Sequence, residues 1–208
     1  MTINDKQIID RLTGASARPG EPFDSDGRLH SRLAALAERG GLLDVSYRTV
    51  DSPLGSLLLA ATREGLVRVA FSREDYDVVL GRLAAEISPR ILRAPGRLDE
   101  AARQLDEYFS RRRKAFSVPL DLRLARGFRR SVLAHLREIP YGATQTYAAV
   151  ARAAGKPAAI RAAASACSHN PLPLVVPCHR VVRSDGSVGE YLGGPQAKRT
   201  LLAMEHAA

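Results

Sequence analysis

A proline-rich segment, residues 171–180, constrains the fold of this chain more than any other stretch. Its three prolines fix φ and remove backbone donors, which disfavours a helix and favours a rigid extended path. Residues 174–176 are Leu-Val-Val, so this path should be buried. It leads to Cys178 and His179, and a thiol beside an imidazole in a buried place is typical of a positioned nucleophile. An isolated pair of this kind is more often a small buried hydrophobe with a chance neighbour, so the rest of the chain must decide.

Length and cysteine content limit the class of protein. The 208 residues suit one large domain or two small ones with a real apolar core. No apolar run approaches the ~20 residues of a membrane helix, and the N-terminus lacks the pattern of a signal peptide. Two cysteines, Cys167 and Cys178, do not form a disulfide framework, so we expect reduced thiols in the cytoplasm.

Positive charge is concentrated in the second half of the chain. The net charge is +9, and residues 121–208 carry 12 lysines and arginines against 5 acidic residues. This asymmetry fits a polyanion-binding module at the C-terminal end. It fits a surface that is merely rich in arginine equally well, and charge alone leaves both interpretations open.

The first 41 residues are predicted to be an N-terminal extension, partly flexible and without assigned chemistry. Residues 8–12 could form a short helix, and residues 18–27 are rich in Pro, Gly, Asp and Ser, as a loop would be. A further helix is indicated by apolar residues at helical spacing before Gly40 and Gly41, namely Leu29, Leu33, Leu36 and Ala37.

Residues 43–71 predict a meander of about three antiparallel strands. Two helices follow, one over about residues 78–87 that stops before Pro89, and an amphipathic one over residues 98–109. The basic run at residues 111–114 is interpreted as a solvated helix end rather than a nucleic-acid contact.

The second half is predicted to be mostly helical. A helix begins near Phe128, and Thr146 is a plausible N-cap for a short helix through Ala153. Pro157 opens a second, alanine-rich helix over residues 158–168, and the two together match a helix-turn-helix. The alternative is a small-residue helix packed tightly inside the core. A β-hairpin is predicted around residues 184–186, then a glycine-punctuated loop over residues 189–194, and a last helix opened by Pro195.

No cofactor or metal is predicted. The chain has neither the phosphate-loop motif nor the Gly-x-Gly-x-x-Gly fingerprint, and its histidines and cysteines lack metal-ligand spacing.

Residues 177–182, Pro-Cys-His-Arg-Val-Val, resemble the O6-alkylguanine-DNA alkyltransferase family. Companion motifs stand at matching separations, and the resemblance covers roughly residues 43–206. These motifs are Asn-Pro-Leu-Pro at 170–173, Gly-Glu-Tyr-Leu-Gly-Gly at 189–194, Tyr-Gly-x-Thr-x-Thr-Tyr at 141–147, and the segments 104–109 and 116–121.

The resemblance implies a two-domain α+β protein. A ribonuclease-H-like domain with a small antiparallel sheet and helices would span residues 42–121. A mostly helical, winged helix-turn-helix-like domain with the active site would span residues 122–208.

The implied activity is direct-reversal DNA repair. One alkyl group would be transferred irreversibly from O6-alkylguanine to Cys178, without a cofactor. The base would be flipped from double-stranded DNA bound through the minor groove. The protein would be a monomer and would not bind a membrane. Activity on O4-alkylthymine and cooperative binding on DNA stay open.

The resemblance also implies roles for single residues. Cys178 would accept the alkyl group, His179 would remove the thiol proton through a bound water, and Glu205 would polarise that histidine. The residues implied in catalysis are Cys178, His179, Glu205, Asn170, Tyr147 and Lys198. Asn170 would tie the helix-turn-helix to the active-site segment, Tyr147 would rotate the nucleotide and hydrogen-bond the guanine, and Lys198 would support the leaving oxygen or line the pocket.

Arg161 would enter the duplex and fill the space of the flipped base. The implied DNA-binding residues are Arg161, Tyr147, Thr146, Ala158, Ala159, Ala162 and Ser165. The implied substrate pocket is formed by Pro173, Val181, Val188, Gly189, Tyr191, Leu192 and Gly193, with the carbonyls of Cys178 and Val181 accepting from the guanine amino group.

Three departures from the family pattern are visible. Thr146 stands where Ser is common and keeps the hydroxyl, Leu192 replaces a Ser of some members and leaves the range of alkyl groups open, and the zinc ligands of some members are absent. Cys167 is interpreted as a small hydrophobe. The alternatives are a non-catalytic lesion-binding protein, a winged-helix DNA-binding protein and a cysteine hydrolase; the retained Cys178 argues against the first, and nothing in the sequence supports the last.

Overall fold

The computed structural model describes residues 25–206. The described residues from Ala34 onward belong to one compact unit. Helix α1 (Ser25–Arg39) confirms the helix predicted before Gly40. It begins at Ser25, so the predicted loop is wrong at residues 25–27, and the predicted helix at residues 8–12 lies outside the described residues. No described helix is long and apolar enough to cross a membrane.

A four-stranded sheet forms the centre of the N-terminal half. Its strands are β1 (Val45–Val50), β2 (Leu57–Ala61), β3 (Leu66–Phe71) and β4 (Ile91–Arg93), in the order β3-β2-β1-β4. The predicted antiparallel meander is confirmed for β1 to β3. The sheet is mixed rather than antiparallel, because β4 pairs with β1 in parallel. A strand of three residues after Pro89 is too short to show alternation in the sequence.

Strand β2 is buried on both faces, which explains its continuous apolar run. Leu58 and Ala60 face a small core closed by helix α2 (Tyr76–Glu86). Leu57 and Leu59 face the main core, which helix α3 (Asp99–Phe109) shares with the C-terminal half of the chain. Both predicted helices are confirmed, and one core joins the two halves.

The C-terminal half consists mainly of helices α4 (Phe128–Leu136), α5 (Tyr147–Ala153), α6 (Ile160–Ser168) and α7 (Gly194–His206). Helices α5 and α6 form the predicted helix-turn-helix. Thr146 caps α5, since its hydroxyl oxygen accepts from the backbone N–H of Ala149 at 3.2 Å. Helix α6 begins at Ile160, two residues later than predicted, because residues 157–158 form a turn.

The hairpin predicted around residues 184–186 is confirmed as a turn, but no strand follows it at residues 187–188. The turn exists, with Gly186 N–H donating to Arg183 O at 3.0 Å and Arg183 N–H donating to Ser187 O at 3.0 Å. Strand β6 (Val181–Val182) instead pairs in parallel with β5 (Gln145–Thr146). The backbone that leaves Cys178 is thereby hydrogen-bonded to the residues that cap α5.

Candidate active site

The segment that leads to Cys178 is buried at every position from residue 171 to residue 180. It is compact and turned rather than extended as predicted, with Leu174 at φ 74°. Two backbone hydrogen bonds anchor it: Val69 N–H of β3 donates to Pro171 O at 2.9 Å, and Val176 N–H donates to Leu172 O at 2.8 Å. The thiol is therefore held by a stiff segment attached to the central sheet.

Asn170 connects the end of α6 to the thiol. Its amide nitrogen donates to Val176 O at 2.8 Å and to Cys178 Sγ at 3.2 Å, and its amide oxygen accepts from Leu172 N–H at 3.0 Å. Cys178 is only 2% exposed. Burial raises the pKa of the Cys178 thiol to about 11, although the hydrogen bond from Asn170 and the positive charge of Lys198 oppose the shift. The resting thiol is protonated at neutral pH, so it needs a base to react.

His179 and Glu205 form a fully buried pair, with Nε2 of the ring 2.9 Å from Oε1 of the carboxylate. Burial lowers the pKa of His179, and Glu205 counteracts only part of this effect. A neutral imidazole that donates Nε2–H to a carboxylate carries its lone pair on Nδ1. Nδ1 is buried and has no hydrogen-bond partner among the described residues. His179 is thus prepared to accept a proton at Nδ1.

Four residues donate hydrogen bonds to the Glu205 carboxylate. Besides His179, they are Arg180 through Nε (2.9 Å) and Nη2 (2.9 Å), Tyr108 through its hydroxyl (2.6 Å), and Gly142 through its backbone N–H (3.1 Å). Burial of Glu205 opposes ionisation, but the hydrogen bonds from His179 and Arg180 outweigh it and hold its pKa well below the usual range. Glu205 therefore stays ionised inside the protein.

The sequence did not predict Tyr108 or Arg180 as parts of this network. Tyr108 belongs to α3 in the N-terminal half, 97 residues before Glu205, and no local pattern indicates that contact. Arg180 adjoins the Cys178-His179 motif, and its burial at 6% exposure indicates a buried anionic partner. Arg180 also donates through Nη1 to Ile139 O at 2.6 Å, which connects the network to the end of α4.

Lys198 contacts the backbone that follows Cys178 and lies close to Tyr147. Lys198 is fully buried and donates through Nζ to Val181 O at 2.6 Å, with Nζ 5.8 Å from the centre of the Tyr147 ring. Burial lowers the pKa of Lys198 and raises the pKa of Tyr147 to about 12. Val181 O, predicted to accept from a guanine, already accepts from Lys198, so one lone pair is left for a ligand.

The predicted pocket residues do not line one common cavity in the structure. A cavity of about 240 Å³ is lined by Tyr147, Ala164, Ser165, Ser168, Arg183, Gly189 and Glu190. Of the seven predicted pocket residues, only Gly189 lines it. Leu192 lines a separate cavity of about 240 Å³ together with Arg68 and Asn170.

The remaining predicted pocket residues lie outside both cavities. Pro173 and Val181 are buried and Val188 is half-buried. The Tyr191 ring is buried against Phe71, with ring centroids 5.5 Å apart. Gly193 lies so close to Phe71 that a Cβ at that position would be 2.8 Å from the ring. This loop is therefore packed against the N-terminal half.

Helix α6 presents a narrow exposed face of small residues around one cation. Arg161, Ala162 and Ser165 are exposed, whereas Ala163 and Cys167 face the core. Two of the predicted DNA contacts precede the helix, Ala158 as an exposed residue and Ala159 as a half-buried one. Burial raises the pKa of the Cys167 thiol, which therefore stays protonated. Within residues 25–206, no group of three or more His, Cys, Asp or Glu residues could hold a metal ion.

Comparisons with known proteins agree with this geometry. The sequence model for the ribonuclease-like domain of 6-O-methylguanine DNA methyltransferase matches residues 45–122, and that for its DNA-binding domain matches residues 127–207. A methylated-DNA–protein-cysteine methyltransferase of Methanosarcina barkeri is 39% identical over 162 residues, which are 76% of this chain and 96% of the relative. The chain therefore belongs to the O6-alkylguanine-DNA alkyltransferase family.

Solved structures support the same assignment. The O6-methylguanine methyltransferase of Mycobacterium tuberculosis superposes with a TM-score of 0.69 at 37% identity, covering 78% of this chain and 93% of the other. The complex of the same M. tuberculosis protein with DNA superposes with a TM-score of 0.67 at 36% identity and the same coverage. The two-part α+β fold is thus shared with these proteins.

Proposed function

We propose that this protein repairs alkylated DNA by direct reversal, as a methylated-DNA–protein-cysteine S-methyltransferase that transfers the alkyl group of O6-alkylguanine to its own cysteine. The observation that carries the proposal is the buried Cys178 thiol, hydrogen-bonded to Asn170 and followed by the His179–Glu205 pair. The family relationship supports the same activity. The retained thiol distinguishes the protein from a lesion-binding protein that does not repair.

The chemistry balances without a cofactor. The S–H bond of Cys178 breaks, and its proton passes through a bound water to Nδ1 of His179, while Glu205 stabilises the imidazolium that forms. The thiolate forms an S–C bond to the alkyl carbon as the C–O6 bond of guanine breaks. The guanine takes up one proton in return from Tyr147, with Lys198 beside the leaving oxygen, and the proton held by His179 returns to Tyr147 through solvent. A thioether has no easy leaving path, so each molecule reacts once.

Double-stranded DNA is the partner that fits the exposed face of α6. The O6 atom is inaccessible in stacked DNA, so the damaged base must leave the duplex. Small side chains at Ala158, Ala159, Ala162 and Ser165 would allow α6 to approach the minor groove closely, and Arg161 would occupy the space of the flipped base. Tyr147, at the start of α5, would rotate the nucleotide into the cavity it lines with Gly189. The DNA complex of the M. tuberculosis relative supports DNA as the partner.

The two halves of the chain have different tasks in this proposal. Residues 122–208 would bind DNA and accept the alkyl group, and residues 42–121 would form the supporting ribonuclease-H-like domain, preceded by the extension of residues 1–41. The matched family ranges support this division. We propose a monomer that acts in the cytoplasm, where both free thiols stay reduced.

Mass spectrometry after incubation with a duplex that contains one O6-methylguanine tests the proposal. The peptide with Cys178 should gain one methyl group, and one equivalent of protein should repair one equivalent of lesion. Cys178→Ala should abolish transfer and keep DNA binding, whereas Cys167→Ala should still transfer. Multiple turnover, or a methyl group on Cys167, would contradict the proposal.

A further inference from the structure

Tyr108, a residue of the N-terminal half, contacts the His179–Glu205 pair directly. It lies in the last turn of α3 and is fully buried. Its hydroxyl donates to Glu205 Oε1 at 2.6 Å and lies 3.4 Å from His179 Nε2. The ring is packed against Phe116, with centroids 5.2 Å apart, and against Tyr141, with centroids 6.1 Å apart. Packing therefore fixes where the hydroxyl points.

We infer that Tyr108 is a positioning residue for alkyl transfer: its hydroxyl holds Glu205 Oε1 so that the carboxylate orients His179 while leaving the imidazole neutral and able to accept a proton. This inference rests on the proposed function. It gives the ribonuclease-like half a part in the proton transfer that neither the family relationship nor the sequence motifs assign.

The physical basis is competition for one oxygen atom. Glu205 Oε1 accepts from Tyr108, from His179 and from Arg180 Nη2. A donor to a carboxylate stabilises its charge and weakens its attraction for a further proton. Tyr108 stays a donor around neutral pH, because burial and the nearby Glu205 charge raise its pKa far above the usual value. Without its hydroxyl, Oε1 would attract the His179 proton more strongly.

The groups around His179 each raise or lower the pKa of its imidazole. Glu205, the acid that His179 contacts among residues 25–206, raises its pKa, whereas burial and the cations Arg180 and Lys198 lower it. The Tyr191 ring also lies near His179, 6.3 Å away between centroids, and it is neutral because burial raises its pKa. Tyr108 is thus a neutral donor to the carboxylate that favours the imidazolium, and it weakens that effect. An imidazolium cannot accept the thiol proton, so Tyr108 affects the rate through His179.

Tyr108→Phe removes the hydroxyl and keeps the ring. We expect the acid limb of the single-turnover rate of methyl transfer to move up by about one pH unit, a change typical of losing one hydrogen bond to a charged group. The rate at high pH should stay within about threefold. NMR titration of the His179 ring in the same variant should show its pKa rising by a similar amount.

Tyr76→Phe is the matched control. Tyr76 also lies in the N-terminal half and donates at 2.6 Å, but to the backbone carbonyl of Ser56. This variant should leave both the pH profile and the His179 titration unchanged. A 3-fluorotyrosine incorporated at position 108 alone keeps the hydroxyl and makes it a stronger donor, so it should move the limb to lower pH.

An unchanged His179 titration in Tyr108→Phe would overturn the inference, even if the rate fell, because a purely structural contact lowers activity without shifting the limb. If Tyr108→Phe did not fold, the fluorotyrosine protein would decide, and a limb that stays in place would overturn the inference. Failure of the proposed function is a separate outcome, since the wild-type protein would then place no methyl group on Cys178 whatever the His179 titration shows.

Discussion

The Glu205→Gln substitution is expected to destabilise the fold by about 3–5 kcal/mol, the range for removing one partner of a buried ion pair. Glu205 is 2% exposed and accepts five hydrogen bonds from four residues. A glutamine offers one acceptor oxygen, and its NH₂ group would point donors at the donors of its neighbours. The guanidinium of Arg180, 6% exposed, would keep its charge without an anion.

Equilibrium unfolding in urea measures this effect. For a protein of this size each 1 kcal/mol corresponds to about 2–4 °C, so thermal melting should fall by about 6–20 °C. Glu100→Gln is the matched control, because Glu100 pairs with Arg103 on the surface, with both side chains 53% exposed. Exposed ion pairs contribute little, so the midpoint of that variant should stay near the wild-type value. Methyl transfer should be slow only in Glu205→Gln.

A loss below about 1 kcal/mol in Glu205→Gln would refute this reasoning, since it would show that desolvation of the carboxylate cancels its hydrogen bonds. The double variant Glu205→Gln/Arg180→Met separates the effect of the unpaired Arg180 charge from the effect of the lost carboxylate hydrogen bonds. Removing the unpaired guanidinium should restore part of the stability, because the buried charge is gone. Transfer should remain slow, because His179 still lacks its carboxylate.

Three further outcomes follow from the site. The pKa values of His179 and Glu205 are both lower in the folded chain than their usual 6.5 and 4.5, so the unfolded chain binds protons first on acidification. The free energy of unfolding should therefore fall below about pH 6.5 and again below about pH 4.5. Urea midpoints that stay constant from pH 7 to 4 would contradict this. Gly189→Ala should destabilise the fold by about 1–3 kcal/mol and slow transfer, because its Cβ would lie 2.5 Å from the Tyr147 hydroxyl. Gly81→Ala is the control: its Cβ meets nothing within 4 Å, so it should be neutral or stabilising. Equal unfolding midpoints for the two variants would argue against the contact. Arg161→Ala should slow transfer from duplex more than from single-stranded DNA, and DNA affinity should fall with salt; an unchanged duplex rate would remove the proposed role of Arg161.

Features set by neighbouring residues could be predicted from the sequence. The Thr146 cap depends on contacts three residues apart. Cys178 and His179 are consecutive, and Pro195 places the last helix, so Glu205 could be assigned to its end once the motif was seen. In each case the chemistry is carried by a short stretch whose local conformation has few alternatives.

Features set by distant pairing could not be predicted. The hairpin around residue 185 satisfied every local rule for a turn, yet β6 found its backbone partners in β5, 36 residues earlier. Strand β4 exists because β1 offers a parallel edge, not because its three residues favour a strand. Tyr108 is one of several residues on the apolar face of α3, and the role of its hydroxyl is visible only once the last helix places Glu205 beside it.

The burial of Cys178 explains how a protein that reacts once avoids being spent on other electrophiles. Because burial raises the pKa of the Cys178 thiol to about 11, the thiol is protonated at pH 7, whereas the thiolate is the nucleophile. Cys178 is 2% exposed, so small reactive molecules in solution rarely meet its thiol. His179, which would take up the proton, and its partner Glu205 are buried as well. In the proposed function, reactivity would therefore be confined to a base that leaves the duplex and is brought to the thiol.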